Sequence, residues 1–352
     1  MSGRRPWIVA GIAVVTALAG VLRYSDAPAL LAFVVATVSL AGLAWVVSVA
    51  TEQVGERFGP AATGVLQSTL GNLPEFFVVI FALSAGQVTV AKFSVLGSIL
   101  ANALLVLGLA IVAGSRAADD GVMRFSPRLP NDTATLLLLA SFIITLVGVA
   151  LATQDVNAGE ARDISTISAV CLLVVYLAWV IPYVRSGAGA AGGEGEKPRH
   201  AVPLALPLTL LGVGGVASAF VSDWFIRALE PTITQLKLSE AFAGLVIVAV
   251  AGNAVENVAG IVLAHKGQAD LAISVIKNSV AQVAAFLWPT LVIVSLLLSR
   301  RLDFALDPVY IAALFATAIA IYQVTADGEA TLFEGCALVA SFVVLGTLTL
   351  YE

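Results

Sequence analysis

Two copies of one acidic motif lie in the sequence, Gly71-Asn72-Leu73-Pro74-Glu75 and Gly252-Asn253-Ala254-Val255-Glu256. Both read G-N-x-x-E, and both sit inside apolar runs. An ionisable side chain at the centre of a bilayer costs about 2.5–3.5 kcal/mol on insertion scales, so each glutamate needs a partner. The Asn stands three residues before the Glu, which puts the two on one helix face where they can act on one ligand. Gly71 and Gly252 suit local unwinding, which frees backbone carbonyls toward a cation, and Pro74 adds to this by removing an N–H. Each motif is followed by an apolar stretch, a short polar turn and a helix with small and polar residues. These are Ser94, Gly97, Ser98 and Asn102 in the first copy, and Ser274, Asn278, Ser279 and Gln282 in the second.

The ligand follows from counting oxygens. Two carboxylates offer both their oxygens, and Asn72, Asn253, Ser98, Ser279, Gln282 or freed carbonyls can add more. That set approaches the about six to eight oxygens Ca²⁺ takes, without the thiolates or imidazoles that favour zinc or copper. Without a cation, two facing glutamates repel each other and are poorly solvated, so the empty site should take up protons. Protons and metal then compete for the same oxygens. A site with protonated and metal-loaded states, exposed alternately to each side, is an exchanger.

The elements that must position these residues are membrane helices. Of 352 residues, 59% are hydrophobic and 12% charged, against about 45–50% and about 25% in soluble domains. Lipid must solvate most of the chain. A net charge of −5 leaves no basic surface for nucleic acid. Cys171 and Cys336 lie in apolar runs without metal or disulfide spacing and read as inert packing thiols.

Apolar runs long enough to span about 30 Å of hydrocarbon number eleven: 6–23, 27–50, 61–84, 89–114, 133–153, 164–184, 203–228, 238–264, 271–298, 308–325 and 330–350. The first could pass for a signal peptide but reads as a retained helix. With the N-terminus inside, ten Lys or Arg residues fall on inner segments and six or seven on outer ones, which predicts N-terminus in and C-terminus out. The stretch Arg185–His200, reading RSGAGAAGGEGEKPRH, predicts a flexible cytoplasmic linker.

The expected organisation is therefore all-α. It has an N-terminal helix (1–26), a five-helix repeat (27–184), the linker (185–202) and a second five-helix repeat (203–352). The motifs are five crossings apart, an odd number, so their helices run in opposite directions and the repeats are inverted. Inverted repeats bring corresponding residues together near the midplane, where secondary transporters bind substrate. Glu75 and Glu256 are expected to face each other there.

With these motifs placed, the sequence resembles the cation/proton exchanger family of the calcium/cation antiporter superfamily. The first half does so from Thr51-Glu52 through Gly71–Glu75 to Gly97-Ser98-Ile99-Leu100-Ala101-Asn102. The second does so from Ser239-Glu240 through Gly252–Glu256, Lys266 and Asp270-Leu271-Ala272 to Ser279-Val280-Ala281-Gln282. The resemblance implies Ca²⁺/H⁺ antiport by alternating access, with Glu75 and Glu256 carrying cation and protons. It also implies Asn72, Asn253, Ser98, Ser279 and Gln282 as neighbours, and a rigid body of helices outside a mobile pair.

Three positions depart from the family pattern. Asn257 follows the second glutamate where His is common. Ala249 stands where Pro often precedes the second Gly-Asn, which predicts a less bent entry to that motif. Lys277-Asn278 precedes Ser279 where Gly and Ser are usual. A lysine facing the glutamates would offset one negative charge and favour a monovalent cation, and one facing away would snorkel or meet another acid.

Na⁺ or K⁺ exchange for H⁺ therefore stays open beside Ca²⁺/H⁺ exchange. Asn102 and Lys277 are candidate modulators of the site. Glu52 and Glu240 would be either acidic mouths that attract cations or solvated helix ends. Asp327 and Glu329 read as a short inner turn. An enzyme is disfavoured because no HExxH or G-x-S-x-G occurs and the histidines, His200 and His265, lie near span ends or loops. A passive channel is disfavoured because two buried acids would hold a divalent ion too tightly. The expected partners are Ca²⁺, H⁺ and the lipid of a cytoplasmic membrane, with no cofactor, nucleic acid or soluble protein.

Overall fold

In the computed structural model, residues 5–55, 70–126, 128–185 and 204–352 are described. Most of the expected linker, residues 186–202, and residues 61–69 of the expected third span lie outside them. Among the described residues the architecture is overwhelmingly helical. Eight helices are long and apolar enough to cross a membrane, or nine if one bent pair is a single span, and Trp7–Arg23 and Leu73–Ser84 are shorter apolar helices. The elements are α1 (Arg5–Arg23), α2 (Ala29–Gly55), α3 (Leu73–Ser84), α4 (Val88–Leu100), α5 (Leu107–Ala117), α6 (Arg128–Ala152), α7 (Ala158–Arg185) and α8 (Ala205–Leu236). They continue with α9 (Glu240–Phe242), α10 (Ala249–Gly252), α11 (Ala254–His265), α12 (Ala269–Gln282), α13 (Trp288–Ser295), α14 (Pro308–Thr325) and α15 (Leu332–Leu350).

Among the described residues three π-helical segments interrupt these runs: Ala101–Val106 between α4 and α5, Ala243–Val248 between α9 and α10, and Val283–Leu287 between α12 and α13. The helices run on through two of these segments, so Val88–Ala117 and Ala269–Ser295 each count as one span.

The chain divides into two units, each with its own packing. The first holds Met1–Ala85, Leu177–Leu238 and Ala251–Asn253. In it α2 lies along α8, where Gly214 lets Val46 and Val47 approach the helix backbone and Phe33 stacks on Phe225 with ring centroids 5.1 Å apart. Small residues at such contacts let apolar helices pack closely in lipid, where no hydrophobic drive joins them. Helix α1 covers α2 through Ile12 against Gly42, and Trp224 of α8 fills the space beside Gly20. The Thr16 and Ser39 hydroxyls pair at 2.8 Å.

The second unit holds Gly86–Tyr176, Ser239–Val250 and Ala254–Glu352. The runs 88–117 and 269–295 are its interior, with most of their residues buried, whereas α15 and the described part of α7 expose Ile167, Val170, Val174, Val343 and Val344. An outer surface of branched aliphatic residues is what lipid solvates. Cys171 and Cys336 are free and lie on exposed helix faces, so they are not the packing thiols the apolar runs predicted. A window of apolar residues does not say which face a helix turns inward.

The loop after α13 is fixed from three sides. Lys92 donates to Asp303 at 2.6 Å and to the Ala305 carbonyl at 2.7 Å, Ser295 accepts from Leu302 N, and Ser165 accepts from Phe304 N. Both charged side chains are less than one-fifth exposed. Removing one partner leaves the other charge poorly solvated, so Lys92→Met should cost about 1–3 kcal/mol, somewhat below the cost for a fully buried pair. Lys92→Met with Asp303→Leu should restore much of it, as measured by thermal unfolding in detergent.

The structure also departs from an all-α fold. Val122–Arg124 (β1) and Glu329–Thr331 (β2) form an antiparallel ribbon with Met123 opposite Ala330. Glu329, expected in a turn, is therefore a strand residue. Asp327 makes the turn, accepting from Glu329 N, with Gly328 at φ +80°. Arg124 joins Asp120 at 2.6 Å and Glu329 at 3.1 Å. The hydrogen bond from Arg124 holds the Asp120 carboxyl below its ordinary range. Its small stabilisation is thus present at neutral pH and fades as acid protonates Asp120. Three-residue strands are too short to show alternation, and these two lie about 200 residues apart in sequence.

Candidate functional site

In both halves the G-N-x-x-E motif falls on a helix break. In the first, Asn72 has non-helical angles (φ −82°, ψ 5°) and precedes α3, with Pro74 in the first turn and Glu75 just after it. In the second, α10 ends at Gly252, Asn253 is a turn residue, and α11 begins at Ala254. The helices on the two sides of that break, 240–252 and 257–265, meet at 60°. The bend lies at the Gly252-Asn253 break, after Ala249, and 240–252 counts as one straight piece leading to it.

A break at Gly-Asn has a direct chemical effect. The last carbonyls before it lose their intrahelical donors, and the amides after it lack acceptors. A glutamate in the first turn sits near those amides, at the positive end of the helix dipole, an arrangement worth about 0.3–1 kcal/mol to a negative charge. Discontinuous helices of this kind are how transporters place backbone carbonyls and charged groups at one depth.

In the first unit, Glu75 is only 3% exposed and Asn72 is also buried. The Ser222 hydroxyl of α8 donates to the Pro74 carbonyl at 3.4 Å, a long contact that touches the turn bearing Glu75. Asn253 is buried and belongs to the same unit as Asn72 and Glu75. The side chain of Glu256 lies outside the described residues, and its backbone is in α11.

In the second unit, Ser98, Asn102, Ser279 and Gln282 are all buried. The Asn102 amide donates to Ser279 Oγ at 3.2 Å, so polar residues from the two post-motif helices meet although 177 residues separate them. Asn102 sits in the π-helical segment Ala101–Val106, and the segment Val283–Leu287 begins directly after Gln282. Such segments are frequent at functional sites. Nothing in the apolar pattern of either run reveals them.

Lys277 is buried, 2% exposed, and donates to the Thr325 hydroxyl of α14 at 2.5 Å. Asn257 is buried as well, and its Oδ1 has no hydrogen-bond partner among the described residues. Glu52 is exposed in the last turn of α2. Glu240 is exposed in the first turn of α9, where Ser239 caps the helix by accepting from Phe242 N. Among the described residues no group of three or more His, Cys, Asp or Glu side chains could hold a metal ion.

Apolar spanning helices, two motif breaks and buried oxygen donors define a polytopic membrane transporter. The chain belongs to the sodium/calcium exchanger protein family, whose model matches residues 28–182 and 206–351. It is 29% identical over 324 residues to the vacuolar calcium ion transporter of Schizosaccharomyces pombe, covering 89% of this chain and 77% of that one. It is 27% identical over 331 residues to a Ca²⁺/H⁺ antiporter of Aphanothece halophytica, covering 89% and 88%. The solved structure of native YfkE matches with a TM-score of 0.81 at 24% identity, over 98% of this chain and 99% of that one, and shares its fold.

Proposed function

We propose that this chain exchanges Ca²⁺ for H⁺ across a cytoplasmic membrane by alternating access, with Glu75 and Glu256 holding the cation and the protons in turn. The observation that carries this reading is the placement of both G-N-x-x-E motifs at helix breaks, with Glu75 buried in the turn that follows. A buried carboxylate beside freed carbonyls favours a cation over an empty site, and a proton over a bare charge. Asn72 and Asn253 from the breaks, with Ser98, Ser279 and Gln282 from the post-motif helices, supply further oxygens.

The names of the two curated relatives, a calcium transporter and a Ca²⁺/H⁺ antiporter, support the choice of Ca²⁺. The family match falls in two blocks either side of the linker, and π-helical segments follow the Ser98 and Ser279 stretches of both halves. Both observations support two repeats. The full layout of eleven helices, inverted halves and an inner N-terminus is part of this proposal.

Na⁺ or K⁺ exchange for H⁺ is the second reading; the sodium/calcium exchanger family match supports it, and Lys277 does not, because it turns to Thr325 and away from Ser279. Inverted vesicles containing the protein distinguish the two. Ca²⁺ added to vesicles holding an imposed pH gradient should dissipate it, while Na⁺ and K⁺ should not. A response to Na⁺ or K⁺ without one to Ca²⁺ would replace the first reading by the second.

A further inference from the structure

Successive residues of an α-helix turn by about 100°, so Lys277 and Ser279 leave α12 about 200° apart, on opposite sides. On one side Ser279 accepts from Asn102 at 3.2 Å. On the other, Lys277 Nζ donates to Thr325 Oγ1 at 2.5 Å. That hydroxyl spends its own proton on the Ile321 carbonyl at 2.7 Å, which leaves its lone pairs for the lysine. Thr325 is 1% exposed and lies in the last turn of α14. Thr325 is thus held by a second contact within its own helix.

An ammonium buried in a membrane helix is costly, and an apolar side chain of similar length would fill the same space without that cost. What the hydrogen bond adds is direction. An N–H···O bond is narrow in geometry, whereas apolar contact tolerates rotation of the helix. Fixing α12 at Thr325 fixes the angle at which the same helix presents Ser279 and Gln282, and Ser279 in turn orients the Asn102 amide.

We propose that Lys277 is a positioning residue for the cation site, its side-chain nitrogen clamped on Thr325 so that α12 holds Ser279, Gln282 and Asn102 in register for the ion. This rests on the reading of those three residues as part of the cargo site.

The test is the Ca²⁺ dependence of proton flux in proteoliposomes for Lys277→Met, Thr325→Val, Thr325→Ser and the double variant Lys277→Met/Thr325→Val. The Ca²⁺ concentration for half-maximal flux should rise about tenfold, or about 1.4 kcal/mol, in Lys277→Met and in Thr325→Val. The maximal rate should change by less than about twofold, because the clamp acts on binding geometry and not on the carriers. Thr325→Ser, which keeps the hydroxyl, should behave as the unaltered protein, and the double variant should be no worse than Lys277→Met alone.

Unchanged half-saturation in Thr325→Val overturns the clamp, as does a shift in Thr325→Ser equal to that in Thr325→Val. If Lys277→Met fails to assemble, the valine and serine variants decide by themselves. Absence of a Ca²⁺ response in the unaltered protein is a separate result, which removes the exchange reading and this inference with it.

Discussion

Glu75→Gln and Glu256→Gln should each reduce Ca²⁺-driven proton movement at least about 100-fold while leaving the fold intact. Glutamine keeps the shape of the side chain but can neither carry a proton nor neutralise half of a divalent charge. Loss of one anionic ligand worth about 3 kcal/mol is a factor of that size. Glu75 is 3% exposed in a membrane helix, so removing its charge should not lower thermal stability and could raise it. Flux in proteoliposomes and a melting curve in detergent check both halves of the statement. A full Ca²⁺ response in either variant would take that residue out of the mechanism.

Gly97→Ala should destabilise the protein by more than about 3 kcal/mol, beyond the usual overpacking cost, because the obstruction is backbone. A Cβ at Gly97 would stand 2.3 Å from the Leu245 carbonyl oxygen, 2.6 Å from Leu245 Cα and 2.8 Å from Ala249 Cβ. A core at crystal-like density cannot absorb that without moving α4 or the π-helical segment Ala243–Val248. Gly212→Ala is the control, since nothing lies within 4 Å of its Cβ position on α8. It should be neutral or stabilise by about 0.5–1 kcal/mol through the unfolded chain and helix propensity. Yield and melting temperature of the two variants give the comparison.

How well each feature could be read from sequence follows from its length scale. The bilayer fixes the length of an apolar run, so the run 308–325 coincides with α14 and the run 6–23 with α1 to within a residue. The polar ends of helices were missed. Helix α8 continues to Leu236, beyond the expected 228, and α7 begins at Ala158, before the expected 164, because helices persist where composition turns amphipathic or charged. Hydropathy marks the lipid-facing length and not the helix.

The motif breaks were legible because Gly-Asn in an apolar run is locally costly and Pro74 lacks an N–H, both properties of single residues. The Asn102–Ser279 contact, the Lys92–Asp303 pair and the β1–β2 ribbon join positions 177, 211 and about 200 residues apart, and no local pattern encodes them. The π-helical segments are equally hidden, since one extra residue per turn leaves the composition unchanged. Lys277 was visible as an anomaly, but its partner Thr325 was not, because the choice between facing a site and facing a neighbour depends on helix rotation.

The most direct measurement is diffraction from Ca²⁺-soaked crystals at a long wavelength, where anomalous scattering locates calcium independently of any coordinates. One peak is expected, with a carboxylate oxygen of Glu75 and one of Glu256 both within about 2.3–2.6 Å of it. A peak held by one glutamate alone, or carboxyl groups lying on separate surfaces with no shared ion, would contradict the account.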